Sequence, residues 1–398
     1  MAGEKQGQGP AEKKTPKVGW SHLRRAHHRR HGEWLVEKAI FLVSLSAIVM
    51  IFLIFLFVAR EAFPVAMGKV DSSLLKTTIP PADLERHSDV EIMEYLELTP
   101  QQFKAMDKET LRELAQVKVE AASETTKDKD AAVNTASWSM MLKPYQWTGY
   151  DEPSYIWQPV SQIRKYNLIP LFIGSLKTTI ISLLVAVPLA LAAAIYVSQL
   201  AHPKTREWLK PAIELLAGIP SVVLGFFALI VMASVLQAIF GYQSRLNAFV
   251  AGLALAVAVI PVVFSIAKDA LTSVPRSFTH AALALGSSKW QTAWKIVLPA
   301  ATPGVFAAIV LGFGRAIGET MVVLMASGNA SIVSASIFDS TRTMTATIAA
   351  ELAETVFGGH HYRILFLVGA MLFVVTFVSN MAADVIIHRL KGRLEGKG

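Results

Sequence analysis

Arg315 and Glu319 are the residues whose types and spacing promise chemistry, because they are the only charges in an otherwise apolar run, Pro303–Met325. Arg315 falls about twelve residues into that run, roughly 18 Å along a helix axis and near the middle of a bilayer. Glu319 follows one turn later on the same helix face. An ionised side chain at that depth costs on the order of 2.5–3.5 kcal/mol, so both are expected to face a pathway or another subunit and not lipid. A guanidinium is a planar, donor-only fork suited to an oxyanion, and a carboxylate accepts a hydrogen bond from a protonated one. The competing reading is an architectural ion pair between helices. The basic-before-acidic order is the weaker one for helix stabilisation and speaks slightly against it. Thr320 and Ser221 either add hydroxyl contacts or bond their own helix backbone.

Such a pair needs membrane helices to hold it. Of 398 residues, 53% are hydrophobic and 17% charged, against about 25% charged in ordinary soluble domains. Apolar runs at Ala39–Ala59, Thr178–Ser198, Ala212–Leu236, Ala248–Ala267, Pro303–Met325 and Ile364–Ile387 are long enough to cross a hydrocarbon core of about 30 Å. The expected fold class is all-α integral membrane with six transmembrane helices. The first, at 39–60, follows a basic stretch, Arg24 to Arg30, and is too long for a signal-peptide core, so it reads as a retained anchor. Six spans put both termini on one side. Basic residues in the tail 1–38, in the loops carrying Lys204/Arg206/Lys210 and Arg276/Lys289/Lys295, and near the tail 391–398 make that side the cytoplasm. The net charge of +8 sits beside the apolar runs, where headgroups and topology explain it, and nucleic acid is not an expected partner. The absence of Cys excludes disulfides and thiolate metal sites.

Residues 61–168 are polar and acidic on balance, and read as an extracytoplasmic insert between the first two helices. Thr99-Pro100-Gln101-Gln102 has the form of an N-cap, a first-turn proline and a capping-box glutamine, which predicts a helical subdomain. Ser123–Asp130 reads as solvated linker. Trp138, Trp147, Tyr150, Tyr155 and Trp157 read as an interfacial aromatic belt ahead of a core at 169–390. Lys177 is expected to snorkel to the interface, Glu214 to occupy a helix first turn after Pro211, and His360-His361 to lie in an external loop. His27, His28 and His31 are expected to be solvated beside the membrane.

The connection 269–302 carries Ala281-Ala282-Leu283-Ala284-Leu285-Gly286 and Leu298-Pro299. It predicts two short amphipathic helices broken at Gly286, with Pro299 and Pro303 redirecting the chain into the membrane. An interfacial loop helix without a partner is the plain alternative. The segment resembles the EAA loop of bacterial ABC-importer permeases, with Ala281-Ala282, Gly286 and Leu298-Pro299 in place and His280 where that family has an acidic residue. The resemblance implies the type I ABC-importer permease architecture and a loop, from His280 to Pro299, that docks an ATPase subunit.

Leu216-Ala217-Gly218-Ile219-Pro220-Ser221, Gly314-Arg315-Ala316-Ile317-Gly318-Glu319-Thr320-Met321 and Thr343-Met344-Thr345-Ala346-Thr347-Ile348 are similar to the phosphate-specific permeases. Methionine after Glu319-Thr320 favours the PstC type. That resemblance implies a permease subunit of an ATP-driven importer of inorganic phosphate. It also implies a PstA-like permease, a PstB-like ATPase dimer and a PstS-like phosphate-binding protein as partners, with Arg315, Glu319, Thr320 and Ser221 along the substrate pathway. The chain has no Gly-x-x-x-x-Gly-Lys-Ser/Thr phosphate loop, so it is expected to be non-catalytic and to bind no cofactor, with ATP and Mg used by the partner ATPase. A permease for another oxyanion and an ion-coupled secondary transporter with an Arg315–Glu319 proton relay are the alternatives.

Overall fold

The computed structural model describes residues 21–68, 84–96, 98–125, 133–161 and 163–394. The chain divides into units 1–57 and 58–398. Helix α1 runs over Ser21–Ala66 and is apolar from Trp34. It exceeds the expected 39–60 at both ends, since the bounding Glu37, Lys38, Arg60 and Glu61 are good helix formers. The side chains of His27, His28 and His31 lie outside the described residues.

Within the second unit, α2 (Asp89–Leu96), α3 (Pro100–Ala105) and α4 (Lys108–Thr125) gather around Leu84, Ile92, Leu96, Leu98 and Ala115. The Thr99 hydroxyl accepts from the Gln102 N–H at 3.3 Å and the Gln102 side chain accepts from the Thr99 N–H at 2.9 Å, a complete capping box. Ser123–Thr125 close α4 and do not open a linker, and the rest of that expected linker lies outside the described residues. Helix α5 (Trp138–Leu142) leads to an antiparallel hairpin of β1 (Trp157–Gln158) and β2 (Lys165–Tyr166). Two members of the expected aromatic belt are buried instead. Trp147 lies under the Lys165 ammonium, and the Trp157 indole N–H finds the Glu351 carboxylate, a polar partner that permits burial. Trp138 and Tyr150 stay exposed.

The remaining helices are α6 (Ile169–Ile195), α7 (Pro203–Ala217), α8 (Ser221–Phe227), α9 (Ala233–Phe240) and α10 (Ala248–Ser273). They continue with α11 (Arg276–Ala284), α12 (Lys289–Thr292), α13 (Leu298–Ala300), α14 (Thr302–Ile317), α15 (Met321–Ala326), α16 (Met344–Glu351) and α17 (His360–Leu394). Single π turns continue α6 to Leu200 and join α8 to α9 and α12 to α13. Helix α10 is the centre, packed between α6 and α14, with Leu255, Val259, Val263 and Phe264 fully buried. Alanines at 186, 190, 194, 251 and 254 let these helices approach closely, as membrane helices without a hydrophobic driving force require.

Five helical stretches are long and apolar enough to span a membrane: Trp34–Ala66, Ile169–Leu200, Ser221–Phe240, Ala248–Ser273 and His360–Arg389. Thr302–Ile317 meets the same test only when taken together with Lys289–Ala300, from which it is bent by 74°. Two expected runs are broken. Ala212–Leu236 is split at Gly218–Pro220, because Pro220 lacks an N–H and disfavours helix at Ile219, so 212–217 complete α7. Pro303–Met325 is split at Gly318–Thr320. Of the connection 269–302, residues 269–273 belong to α10. Glu214 lies in the last turn of α7, 3.9 Å from Lys210 Nζ, because the helix already starts at Pro203. Lys177 does not snorkel: its ammonium donates to the carbonyls of Ser334 and Ser336. His360 and His361 are not in a loop but open α17, with His360 buried.

Candidate functional site

Helix α14 ends one residue after Ala316, and the chain turns through Gly318, Glu319 and Thr320 before α15 begins. Arg315 and Glu319 therefore do not share a continuous helix, yet Arg315 Nη2 lies 3.6 Å from Glu319 Oε2. The pair is asymmetric. The Glu319 side chain is 7% exposed and that of Arg315 is 50% exposed. Glu319 is held from several sides: its Oε1 accepts from the Thr320 N–H at 3.2 Å, its own N–H reaches the Ala316 carbonyl, and its carbonyl accepts from the Thr345 hydroxyl at 2.7 Å. Among the described residues Arg315 has Glu319 as its one partner, which leaves most of its five N–H donors open.

Helix α8 starts directly after the first break and α15 directly after the second, and the two helices pack together. Gly225 permits this, since a Cβ there would lie 2.9 Å from the Met321 carbonyl oxygen. Ser221 stands one turn before Gly225, half-buried, with no side-chain hydrogen bond among the described residues. The Thr320 hydroxyl reaches back to the Gly318 carbonyl at 3.5 Å, the self-bonding expected of such a residue. No hydrogen bond joins Ser221 to Arg315, Glu319 or Thr320 among the described residues.

The sequence places Thr345 in a family-like stretch but gives it no role. The start of α16 is buried in the bundle, with Thr343 capping it and Thr345 and Thr347 inside it. The alternation of hydroxyls at 343, 345 and 347 was the available signal, because a buried threonine at a helix start needs an acceptor nearby.

The interhelical loop has the expected break: Gly286 takes φ +86° between α11 and α12, and Ser288 with Gln291 forms a second capping box. His280, Ala281, Gly286 and Pro299 are exposed, Leu298 is half-buried and Ala282 is buried. Trp290 and Trp294 stack with ring centroids 5.9 Å apart and both remain exposed, so the loop presents an uncovered aromatic face.

Residues 186–394 match the family described as binding-protein-dependent transport system inner membrane component. The Bacillus subtilis protein named "Probable ABC transporter permease protein YqgH" is 38% identical over 236 residues, which are 59% of this chain and 76% of that one. The phosphate transport system permease protein PstC of Xylella fastidiosa is 35% identical over 260 residues, covering 60% of this chain and 78% of its own. A chain of the inward-facing MetNI methionine ABC transporter, 17% identical, superposes on 56% of this chain and 97% of its own with a TM-score of 0.44. The family match takes in both helix breaks, Arg315, Glu319, the loop and α16. With more than half of its length so matched, the chain belongs to the family of binding-protein-dependent transport system inner membrane components and is a multi-pass membrane permease.

Proposed function

We propose that this chain is one of two permease subunits of an ATP-driven importer of inorganic phosphate. The observation that carries this reading is the asymmetry of the Arg315–Glu319 pair. A buried carboxylate, bonded by the Thr320 N–H and carried on a backbone that the Thr345 hydroxyl ties down, holds a half-exposed guanidinium in place while leaving its other donors for an anion. Arg315 takes the charge of the oxyanion through N–H donors. Glu319 accepts from the proton that phosphate keeps near neutral pH, which a fully ionised oxyanion such as sulfate lacks. Relatives named as phosphate permeases support the choice of anion.

Both termini and the Arg276–Ala300 loop face the cytoplasm in this reading. An ATPase dimer of PstB type docks on the exposed residues His280, Ala281 and Gly286 and on the Trp290/Trp294 face, and supplies ATP and Mg chemistry. A PstA-like permease completes the pathway, and a PstS-like binding protein delivers phosphate from outside. Closure of the motors pushes the two permease loops together and reopens the spans outward. The test is ATPase activity of the purified complex, assembled with its partner subunits, in phosphate and in sulfate. Stimulation by phosphate and not by sulfate is expected. A rate indifferent to phosphate, or uptake driven by a proton gradient without ATP, overturns the reading.

A further inference from the structure

Glu351, the last residue of α16, gathers three partners from three parts of the chain. Trp157 Nε1 of β1 donates to Oε1 at 3.1 Å, His361 Nε2 of α17 lies 3.1 Å from Oε2, and Arg342 Nη2 donates to Oε1. The Arg342, Glu351 and His361 side chains are all more than four-fifths buried, so the carboxylate depends on these partners and not on water. Arg342 also donates from Nε to the Thr347 hydroxyl at 3.1 Å, and thus grips α16 at its middle and at its end. At the other end of the helix, the Met344 N–H donates to the Ser175 hydroxyl at 2.9 Å and the Thr345 hydroxyl to the Glu319 carbonyl at 2.7 Å. Eight residues of helix span about 12 Å, short enough to act as one stiff strut between the two clusters.

We propose that Glu351 is a positioning residue for the anion site. It fixes α16, α16 fixes the Gly318–Thr320 break through Thr345, and the break sets where Glu319 holds Arg315. Glu351 and Thr345 do not touch the anion. The inference rests on the reading of Arg315 as the anion's donor.

The test measures phosphate KM and maximal uptake rate in the assembled transporter carrying Glu351→Gln, Thr345→Val or both, with Arg315→Ala alongside. Each single substitution is expected to raise KM about tenfold, mid-range for side chains that share one network, while the maximal rate changes by less than about twofold. The double variant should be no worse than the stronger single one, because either cut severs the same strut. Additive effects overturn the inference, and so does an unchanged KM in both single variants when Arg315→Ala abolishes uptake. Should Glu351→Gln fail to assemble, the KM of Thr345→Val decides alone. Wild-type uptake by Arg315→Ala overturns the anion reading, and this inference with it.

Discussion

Replacing Gly174 by Ala adds one methyl group where the structure has no room for it. A Cβ at 174 would lie 2.1 Å from the Arg342 carbonyl oxygen and 2.6 Å from Thr341 Oγ1. The first of these is backbone and cannot rotate aside. Ordinary contact requires the chain at 341–343 to retreat by roughly 1 Å, and overpacking of that kind costs about 1–3 kcal/mol. The same retreat stretches the bond from the Met344 N–H to Ser175, worth about another 1 kcal/mol. At about 2–4 °C per kcal/mol for a domain of 150–250 residues, the melting midpoint of the detergent-solubilised protein should fall by roughly 4–16 °C. Tryptophan fluorescence on heating reads this directly. Gly314→Ala is the control, since nothing lies within 4 Å of a Cβ there, and it should hold or raise the midpoint. A Gly174→Ala protein that melts within a degree of the Gly314→Ala control would refute the close approach of α6 to the start of α16.

Glu319→Gln keeps the side-chain shape and the Thr345 bond to the backbone but removes the charge facing Arg315. Uptake of labelled phosphate should drop at least about tenfold, equivalent to 1.4 kcal/mol, and unchanged uptake would contradict the role given to the carboxylate. Lys177→Met deletes the donor to the Ser334 and Ser336 carbonyls, so peptides over 331–340 should exchange amide hydrogens faster; identical exchange would show that the lysine does not hold that loop. At the start of α2, the backbone N–H and then the hydroxyl of Ser88 hold the Glu91 carboxyl below its ordinary range. A lowered folded-state pKa contributes stability that is full above the ordinary glutamate range and is lost as pH falls through the lowered value. Carbon-detected titration of Glu91 should show the lowered value, and Ser88→Ala should raise it; no difference between the two would contradict the assignment.

Much of this was legible from residue types alone. Long uncharged runs announce membrane helices, Thr99-Pro100-Gln101-Gln102 announces a helix start, and Gly286 announces a break, because each reflects a local backbone or solvation constraint. Arg315 and Glu319 stood out for the same reason, as charges where lipid forbids them. What the sequence concealed depends on distant partners. Hydropathy averages over Gly218–Pro220 and Gly318–Thr320, so two broken helices read as two single spans. Trp157 and His361 read as interfacial or loop residues because nothing near them in the chain reveals Glu351. Lys177 resembles a snorkelling lysine because its acceptors, the Ser334 and Ser336 carbonyls, lie more than 150 residues on. The link from Thr345 to Glu319 joins residues 26 apart through a turn that no periodicity encodes.

Whether Arg315 meets the transported anion decides between a pathway pair and an architectural one. The most direct test is uptake of labelled phosphate into vesicles bearing the assembled transporter with Arg315→Ala, with the amount of complex in the membrane measured on the same vesicles. Uptake is expected at background with the complex present at its usual level, and near-normal uptake by that variant would rule out contact between Arg315 and the anion.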